Sequence, residues 1–423
     1  MKRWTSLFLP DTAPLRESRS FRLLWIGQLI SLTGSQLRLV ALPYQIFLIT
    51  GSSFAVGAIG LFQAVPLLTL GLFGGAIADA VDRRRLLLLT QIGLAAVSLI
   101  LAIVTQLGVA SVPLLYLLTA LGACFSALDH PTRASLGPTL VERRHIRAAI
   151  ALNQTIWQLA AVVGSLLAGV VIARIGLAGA YWVDVLSFAA AFIAVWNMRT
   201  PPRVPTERVP VVRAVVEGVR YLGASRILLA TMALDFLATF FGSPRALFPY
   251  YADRIFHVGP EGLGLLYASM GVGALAAALG SGWTAHVKRQ GLTILIAVTV
   301  WGAAITVFGV LDEQMFVAAC LLLAIAAAAD TVSSIFRGTI LQLVVPDALR
   351  GRLNAINLMF VAGGPYLGQF ESGAVAGLWS PVAAVVSGGI ACVASVFAIA
   401  AWLPEIVRYR AHRDESAPAA DRA

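Results

Sequence analysis

Charge is scarce in this chain. Of its 423 residues only 12% are Asp, Glu, Lys or Arg, while 59% are hydrophobic. The mean hydropathy is +0.84. A water-soluble fold has too little interior to hide that much apolar surface, so a second apolar solvent, the bilayer, is required. A soluble enzyme, a disordered regulator and a coiled coil are excluded. Cysteine is scarce too. Cys124, Cys320 and Cys392 lie in apolar runs, are odd in number and show no CxxC spacing, which excludes a disulfide framework and a zinc site. Five scattered histidines form no HxxxH or HExxH, and no GxxxxGK[ST] occurs. With neither a nucleophile–base set nor a metal set visible, the chain is expected not to be an enzyme and to carry no cofactor and no metal. Residues 1–20 are polar and basic, and the apolar run that follows is too long for a signal peptide.

What is present is a succession of apolar runs. They predict spans over 22–49, 54–78, 86–107, 112–131, 148–174, 177–198, 227–252, 261–285, 291–311, 315–337, 353–377 and 381–403. In lipid such runs close their backbone hydrogen bonds as helices. The expected fold is therefore an all-α membrane protein with twelve transmembrane helices in two pseudo-repeated six-helix bundles. The net charge of +10 sits in the connections: 27 of the 31 Lys and Arg fall at the termini and in the even-to-odd loops, against Arg174 and Arg254 on the other side. Positive loops stay in the cytoplasm. This places both termini inside a multi-pass protein of the inner (plasma) membrane, and assigns the basic residues to the lipid surface rather than to nucleic acid.

Residues 1–20 form a cytoplasmic N-terminal segment, 21–198 a first six-helix bundle, 199–226 a linker, 227–404 a second bundle and 405–423 a cytoplasmic tail. The linker opens with Pro201, Pro202 and Pro205, after which Val211 to Ala224 reads as an amphipathic surface helix. An internal repeat supports the division. A shift of 204 residues lays Arg133 on Arg337, Asn153 on Asn357, Gly164 on Gly368 and Gly169 on Gly373; a shift of 207 lays Arg38 on Arg245, Gly75 on Gly282 and Asp79 on His286. Parallel repeats of six helices are the architecture in which two bundles rock about a central site.

The stretch Gly74-Gly75-Ala-Ile-Ala-Asp79-Ala-Val-Asp82-Arg83-Arg84-Arg85 resembles the cytoplasmic signature of the major facilitator superfamily, with Ala80 where an arginine is usual. Val40 to Phe47, Pro244 to Asp253 and Arg350 to Asn357 bring the chain close to the enterobactin exporter-like branch, which also includes macrolide and drug efflux carriers. The resemblance spans about residues 20–405. It implies proton-driven export (antiport) of a siderophore-like or hydrophobic drug-like solute, by a monomer whose partners are that small-molecule substrate and protons. The Gly-Pro pair usual in span five is missing from Gly164-Ser-Leu-Leu-Ala-Gly169, whereas Gly363-Gly364-Pro365 appears in span eleven. A facilitator or importer of a small metabolite, or a non-transporting sensor or scaffold on a carrier fold, are the alternatives.

In the family pattern Gly75, Asp79, Asp82, Arg83, Arg84 and Arg85 form a cytoplasmic latch. Asp79 is expected to approach the positive N-terminus of span eleven, and the arginines to approach Asp129, near Arg133. The alternative is plain positive-inside anchoring. Charges within spans are costly and mark function. Asp235 and then Glu371 are the candidates for proton coupling, each alternatively held in an ion pair with an arginine. Asp184 is expected at an interface. Arg38 and Arg245 suit a planar oxyanion through bidentate hydrogen bonds, or snorkel outward. Gln28, Gln63, Asn153 and Trp157 are candidate substrate contacts from the first half. Phe240, Tyr267, Asn357 and Tyr366 are those from the second. The glycines crowding spans eight and eleven are expected to pack moving helices closely.

Overall fold

The computed structural model describes residues 11–199 and 211–410, with side chains described except at 72–80, 211–215, 347–348, 351–352, 355 and 358. Gly75 and Asp79 of the expected latch therefore lie outside the described side chains. Nine helical stretches among the described residues are long and apolar enough to cross a membrane. One of them, Ile146–Trp196, holds two spans, because Gly176 breaks it at φ 84°. That positive φ suits a residue without a Cβ. Two more helices, Arg19–Thr50 and Asp347–Leu378, bring the spans to twelve.

The spans are α1 (Arg19–Thr50), α2 (Ser53–Ala80), α3 (Arg83–Gln106), α4 (Val112–Leu136), α5 (146–175), α6 (177–196) and α7 (Arg226–Phe241). After them come α8 (Gly259–Leu279), α9 (Gln290–Gly309), α10 (Phe316–Val344), α11 (Asp347–Leu378) and α12 (Pro381–Trp402). Short caps start several of them. The Ser18 hydroxyl accepts from the Phe21 N–H at α1, Asp82 accepts from the Arg85 N–H at α3, and Ser380 accepts from the Ala383 N–H at α12. Each satisfies an orphan helix-start donor. The linker carries the expected helix, Val211–Ala224, and its Tyr221 hydroxyl donates to the Val344 carbonyl.

Two expected spans are not single rods. The run 227–252 stops at Phe241 and continues as a 3-10 turn (Pro244–Leu247), one helical turn (Phe248–Tyr250) and a π turn (Tyr251–Ile255). Pro244 and Pro249 lack the N–H that a regular ladder needs. The run 261–285 ends at Leu279 and gives way to a 3-10 turn over Ser281–His286.

An even number of crossings puts the first and last described residues at one end of the bundle, called the near end below. Two seams join the first six helices to the last six, α2 against α11 and α5 against α8, and glycine builds both. A Cβ on Gly57 would meet the Gly373 Cα at 2.6 Å and the Gln369 carbonyl at 2.7 Å; one on Gly264 would meet the Ser165 carbonyl at 2.7 Å. The α2–α11 seam runs from Phe54 beside Gly377 to Leu68 beside Gly363, and Gly71, one turn nearer the near end, meets nothing. Among the described residues, the glycine contacts of both seams crowd the far end and the middle of the bundle, which is closed at the far end.

Candidate functional site

The interior charges fall into three clusters. In the first, Arg38 of α1 reaches Asp184 of α6 (Nε to Oδ2, 3.5 Å). The Ser98 hydroxyl of α3 donates to the same carboxylate at 2.6 Å and accepts from Arg38 at 3.2 Å. Asp184 is completely buried. This corrects two expectations: Asp184 is not interfacial, and Arg38 is committed to a buried carboxylate rather than free for a solute. A carboxylate at that depth is costly without a cation and donors around it.

In the second, Asp129 of α4 is held by Arg133 one turn along its own helix, and by donors from Thr90 (2.8 Å) and Gln91 (2.9 Å) of α3. The basic loop does not supply its partner, another correction. Arg83 donates to the Ser135 carbonyl, and Arg84 to the carbonyls of Val195 and Trp196 at the end of α6. Asp82 is spent on capping α3. Beside this pair, His130 lies against Trp157 of α5, rings 5.0 Å apart. Sequence reasoning misses His130 because nothing in its local spacing sets it apart.

The third cluster joins α7 to α10. Arg337 Nη2 lies 2.6 Å from Asp235 Oδ1 and 3.4 Å from Asp330 Oδ1, while Nη1 donates to the Ser333 hydroxyl at 2.7 Å. Asp235 is buried, and its second carboxyl oxygen has no hydrogen-bond partner among the described residues. Hydropathy alone groups Arg337 with the cytoplasmic loop cations. The signal that finds it is the spacing of Asp330, Ser333 and Arg337, which lie on one face of a helix.

Two charges stand outside these clusters. Arg245 sits half-buried in the 3-10 turn that breaks the α7 run, and its guanidinium makes no ion pair or hydrogen bond among the described residues. The Tyr267 hydroxyl donates to its backbone carbonyl (3.2 Å), and Tyr366 of α11 lies within electrostatic reach of both Arg245 and Arg38. Glu371 of α11 likewise has no ion-pair partner among the described residues, and one carboxyl oxygen is buried without a hydrogen bond. Of the other expected contacts, Gln28 and Tyr267 are buried, the latter packed on Phe248. Phe240 packs among Phe236 and Phe241. Gln63, Asn153, Asn357 and Tyr366 are half-buried, and Trp157 is partly exposed. The structure therefore does not gather all these residues at one surface. No group of metal-ligating side chains occurs among the described residues.

Comparison with known proteins places this geometry. A family model described as a transmembrane secretion effector matches residues 10–418. The enterobactin exporters of Citrobacter koseri and of Escherichia coli O1:K1 are each 28% identical over 408 residues, covering 95% of this chain and 96% of theirs. Among solved structures, a peptide transporter in complex with alafosfalin superposes with a TM-score of 0.76 at 13% identity, over 97% of this chain and 100% of its own. An inward-facing, unoccupied bacterial homologue of the lysosomal transporter Spinster gives 0.70 at 17% identity, over 92% and 96%. At those identities the structures speak to fold, and the family model to kinship. The chain is a multi-pass membrane transporter for a small molecule, not an enzyme, and belongs to the transmembrane secretion effector family of the major facilitator superfamily.

Proposed function

We propose that the protein exports an anionic, aromatic solute of the siderophore type from the cytoplasm, by alternating access coupled to protons. The observation that carries the substrate class is Arg245: a half-buried guanidinium with no ion pair or hydrogen bond among the described residues, near Tyr366. An unpaired charge within a membrane span is costly and is kept where a ligand uses it, and a guanidinium suits catecholate or carboxylate oxygens. Similarity to enterobactin exporters over 95% of the chain supports both the solute class and the outward direction.

The two moving bodies are residues 21–198 and 227–404, joined by the linker 199–226 and flanked by the segments 1–20 and 405–423. The basic near end faces the cytoplasm of the inner membrane, so the far-end closure corresponds to an inward-open state in which the solute enters. Asp235 and Glu371 are the coupling acids. Asp235 ties α7 to α10 through Arg337, and protonating it removes the charge that holds that arginine. The residues 75–85, with Asp129 and Arg133, bear on the near-end closure of the opposite state. Transport is carried out by the monomer.

The test is collapse of a pH gradient in inverted vesicles on adding iron-free enterobactin. The intact chain is expected to collapse it. Arg245→Gln is expected to raise the half-saturating concentration about tenfold or more, as loss of a charged hydrogen bond costs about 1.5–3 kcal/mol. Arg245→Lys keeps the charge but loses the bidentate geometry, and falls between. A gradient insensitive to enterobactin in the intact chain, with neutral metabolites moving instead, would overturn the proposal.

A further inference from the structure

An exposed side chain in a membrane bundle faces either lipid or the interior, and helix geometry tells the two apart. On α4 the exposed Leu117 and Leu121 lie one turn apart and mark the lipid side. His130 follows Leu121 by nine residues, which is two and a half turns, so it points the opposite way. On α5 the exposed Leu166 and Val170 mark the lipid side. Trp157 precedes Leu166 by nine residues and also points away from lipid. Yet both His130 and Trp157 are exposed. Both therefore open on the interior of the bundle.

The two rings meet there, with centroids 5.0 Å apart and planes tilted by 41°. Neither has another ring partner among the described residues. The pair lies close to the near end. His130 is six residues before Leu136, the last residue of α4, or about 9 Å along the axis. A Cβ on Gly137 would meet Asn153 Nδ2 of α5 at 3.2 Å, so the two helices converge just beyond the rings. Arg245, by contrast, lies beyond Phe241 in the far-end half. The repeat does not call for this pair. A shift of 204 residues lays Ser334 on His130 and Val361 on Trp157, so the second six helices are built on the same frame with no ring at either place.

A polar group stands beside the rings. Arg133 follows His130 by three residues, on the neighbouring turn of α4, and lies within its electrostatic reach. Its Nε is spent on Asp129, whereas its Nη1 is buried with no hydrogen-bond partner among the described residues. Buried donors are nearly always satisfied, so one left over invites an acceptor from outside the chain.

We infer that His130, Trp157 and Arg133 form an entry station near the cytoplasmic mouth, separate from Arg245, which takes an aromatic ring bearing an oxygen acceptor. This rests on the export reading above and extends it to a second binding place on the solute's path. The ring stacks on the exposed surface of the His130–Trp157 pair, where aromatic groups attract beyond the area they bury. Its oxygen accepts from Arg133 Nη1. A solute with several such rings can hold the station with one of them while another moves on toward Arg245. The station thus selects for aromatic character, and Arg245 for negative charge.

The test is carbon-13 NMR of the histidine rings in the purified full-length protein in detergent, titrated with 2,3-dihydroxybenzoate. The chain has five histidines, and His130→Gln identifies the signal of interest. That signal is expected to move saturably with 2,3-dihydroxybenzoate and not with cyclohexanecarboxylate, which has the charge but no aromatic ring. Trp157→Leu is expected to raise the dissociation constant about three- to tenfold, the scale of one aromatic pair. Trp157→Phe keeps a ring and falls between, and thermal midpoints close to that of the intact chain show that both variants fold. Arg245→Gln is expected to leave the shift in place. No movement of the His130 signal, equal movement with cyclohexanecarboxylate, or an unchanged constant in Trp157→Leu overturns the inference. Loss of the shift in Arg245→Gln also overturns it, because the two places would then be one. If the intact chain exports no enterobactin the export reading fails, while the His130 titration still decides whether the pair binds aromatic rings.

Discussion

Adding a single methyl group at Gly57 tests how the far end closes. The Cβ of Gly57→Ala would meet backbone on α11, the Gly373 Cα at 2.6 Å and the Gln369 carbonyl at 2.7 Å. Backbone atoms cannot swing aside as a side-chain end can, so α2 and α11 must separate. Overpacking of this kind costs about 1–3 kcal/mol. If the seam exists only in the far-end-closed state, the whole cost falls on that state. The ratio of open to closed molecules then rises about 5- to 150-fold. Gly264→Ala acts on the other seam, where its Cβ would meet the Ser165 carbonyl at 2.7 Å and the Gly169 Cα at 2.8 Å. The two seams share no side chains, so their free energies are expected to add. The assay is the distance between spin labels at Val109→Cys and Val310→Cys, two far-end positions 62% and 64% exposed, after Cys124, Cys320 and Cys392 are replaced by Ala. A longer population is expected to grow with Gly57→Ala and to dominate in the double variant. Unchanged distance distributions in both would refute the closure argument, because a 2.6 Å approach to backbone cannot be absorbed without motion.

Three further outcomes follow from the charges. Asp184→Asn leaves Arg38 buried beside a neutral group and is expected to cost about 3–5 kcal/mol; Arg38→Met with Asp184→Leu recovers most of it, read by thermal unfolding in detergent. Arg133→Met strands Asp129 in the same way, and is expected to lower the midpoint more than Arg84→Met, which removes donors to the neutral carbonyls of Val195 and Trp196. The hydrogen bond from Arg226, then one to its own backbone, holds the Glu405 carboxyl below the ordinary glutamate value. A lowered folded-state value means stabilisation that is complete above the ordinary value and lost as pH falls through the lowered one. Amide exchange in the short helix Glu405–Arg408 is therefore expected to accelerate relative to α12 only in acid, and Arg226→Gln removes the difference.

The spans are legible in the sequence because lipid leaves the backbone no alternative to the helix, and even the break between α5 and α6 falls at its glycine. The break after Phe241 is less legible: Pro244 and Pro249 stand in an apolar run that hydropathy carries through. Ion-pair partners are harder still. Asp235 meets Arg337 from another helix, as Arg38 meets Asp184, and no local spacing encodes such contacts. Arg337 also hides among near-end cations when charges are tallied by loop.

The repeat carries more of this information than hydropathy does. Laying Arg133 on Arg337 also lays Asp129 on Ser333. In the first six helices the arginine is satisfied one turn away by that aspartate. In the last six the same place holds a serine, which accepts one donor and contributes no charge. The guanidinium is thereby released toward α7, where Asp235 stands, and toward Asp330, one turn further along α10. One substitution in a duplicated frame converts a closed local pair into a bond between helices with a surplus acid. That asymmetry leaves a closed local pair in the first six helices and a tie between helices in the second.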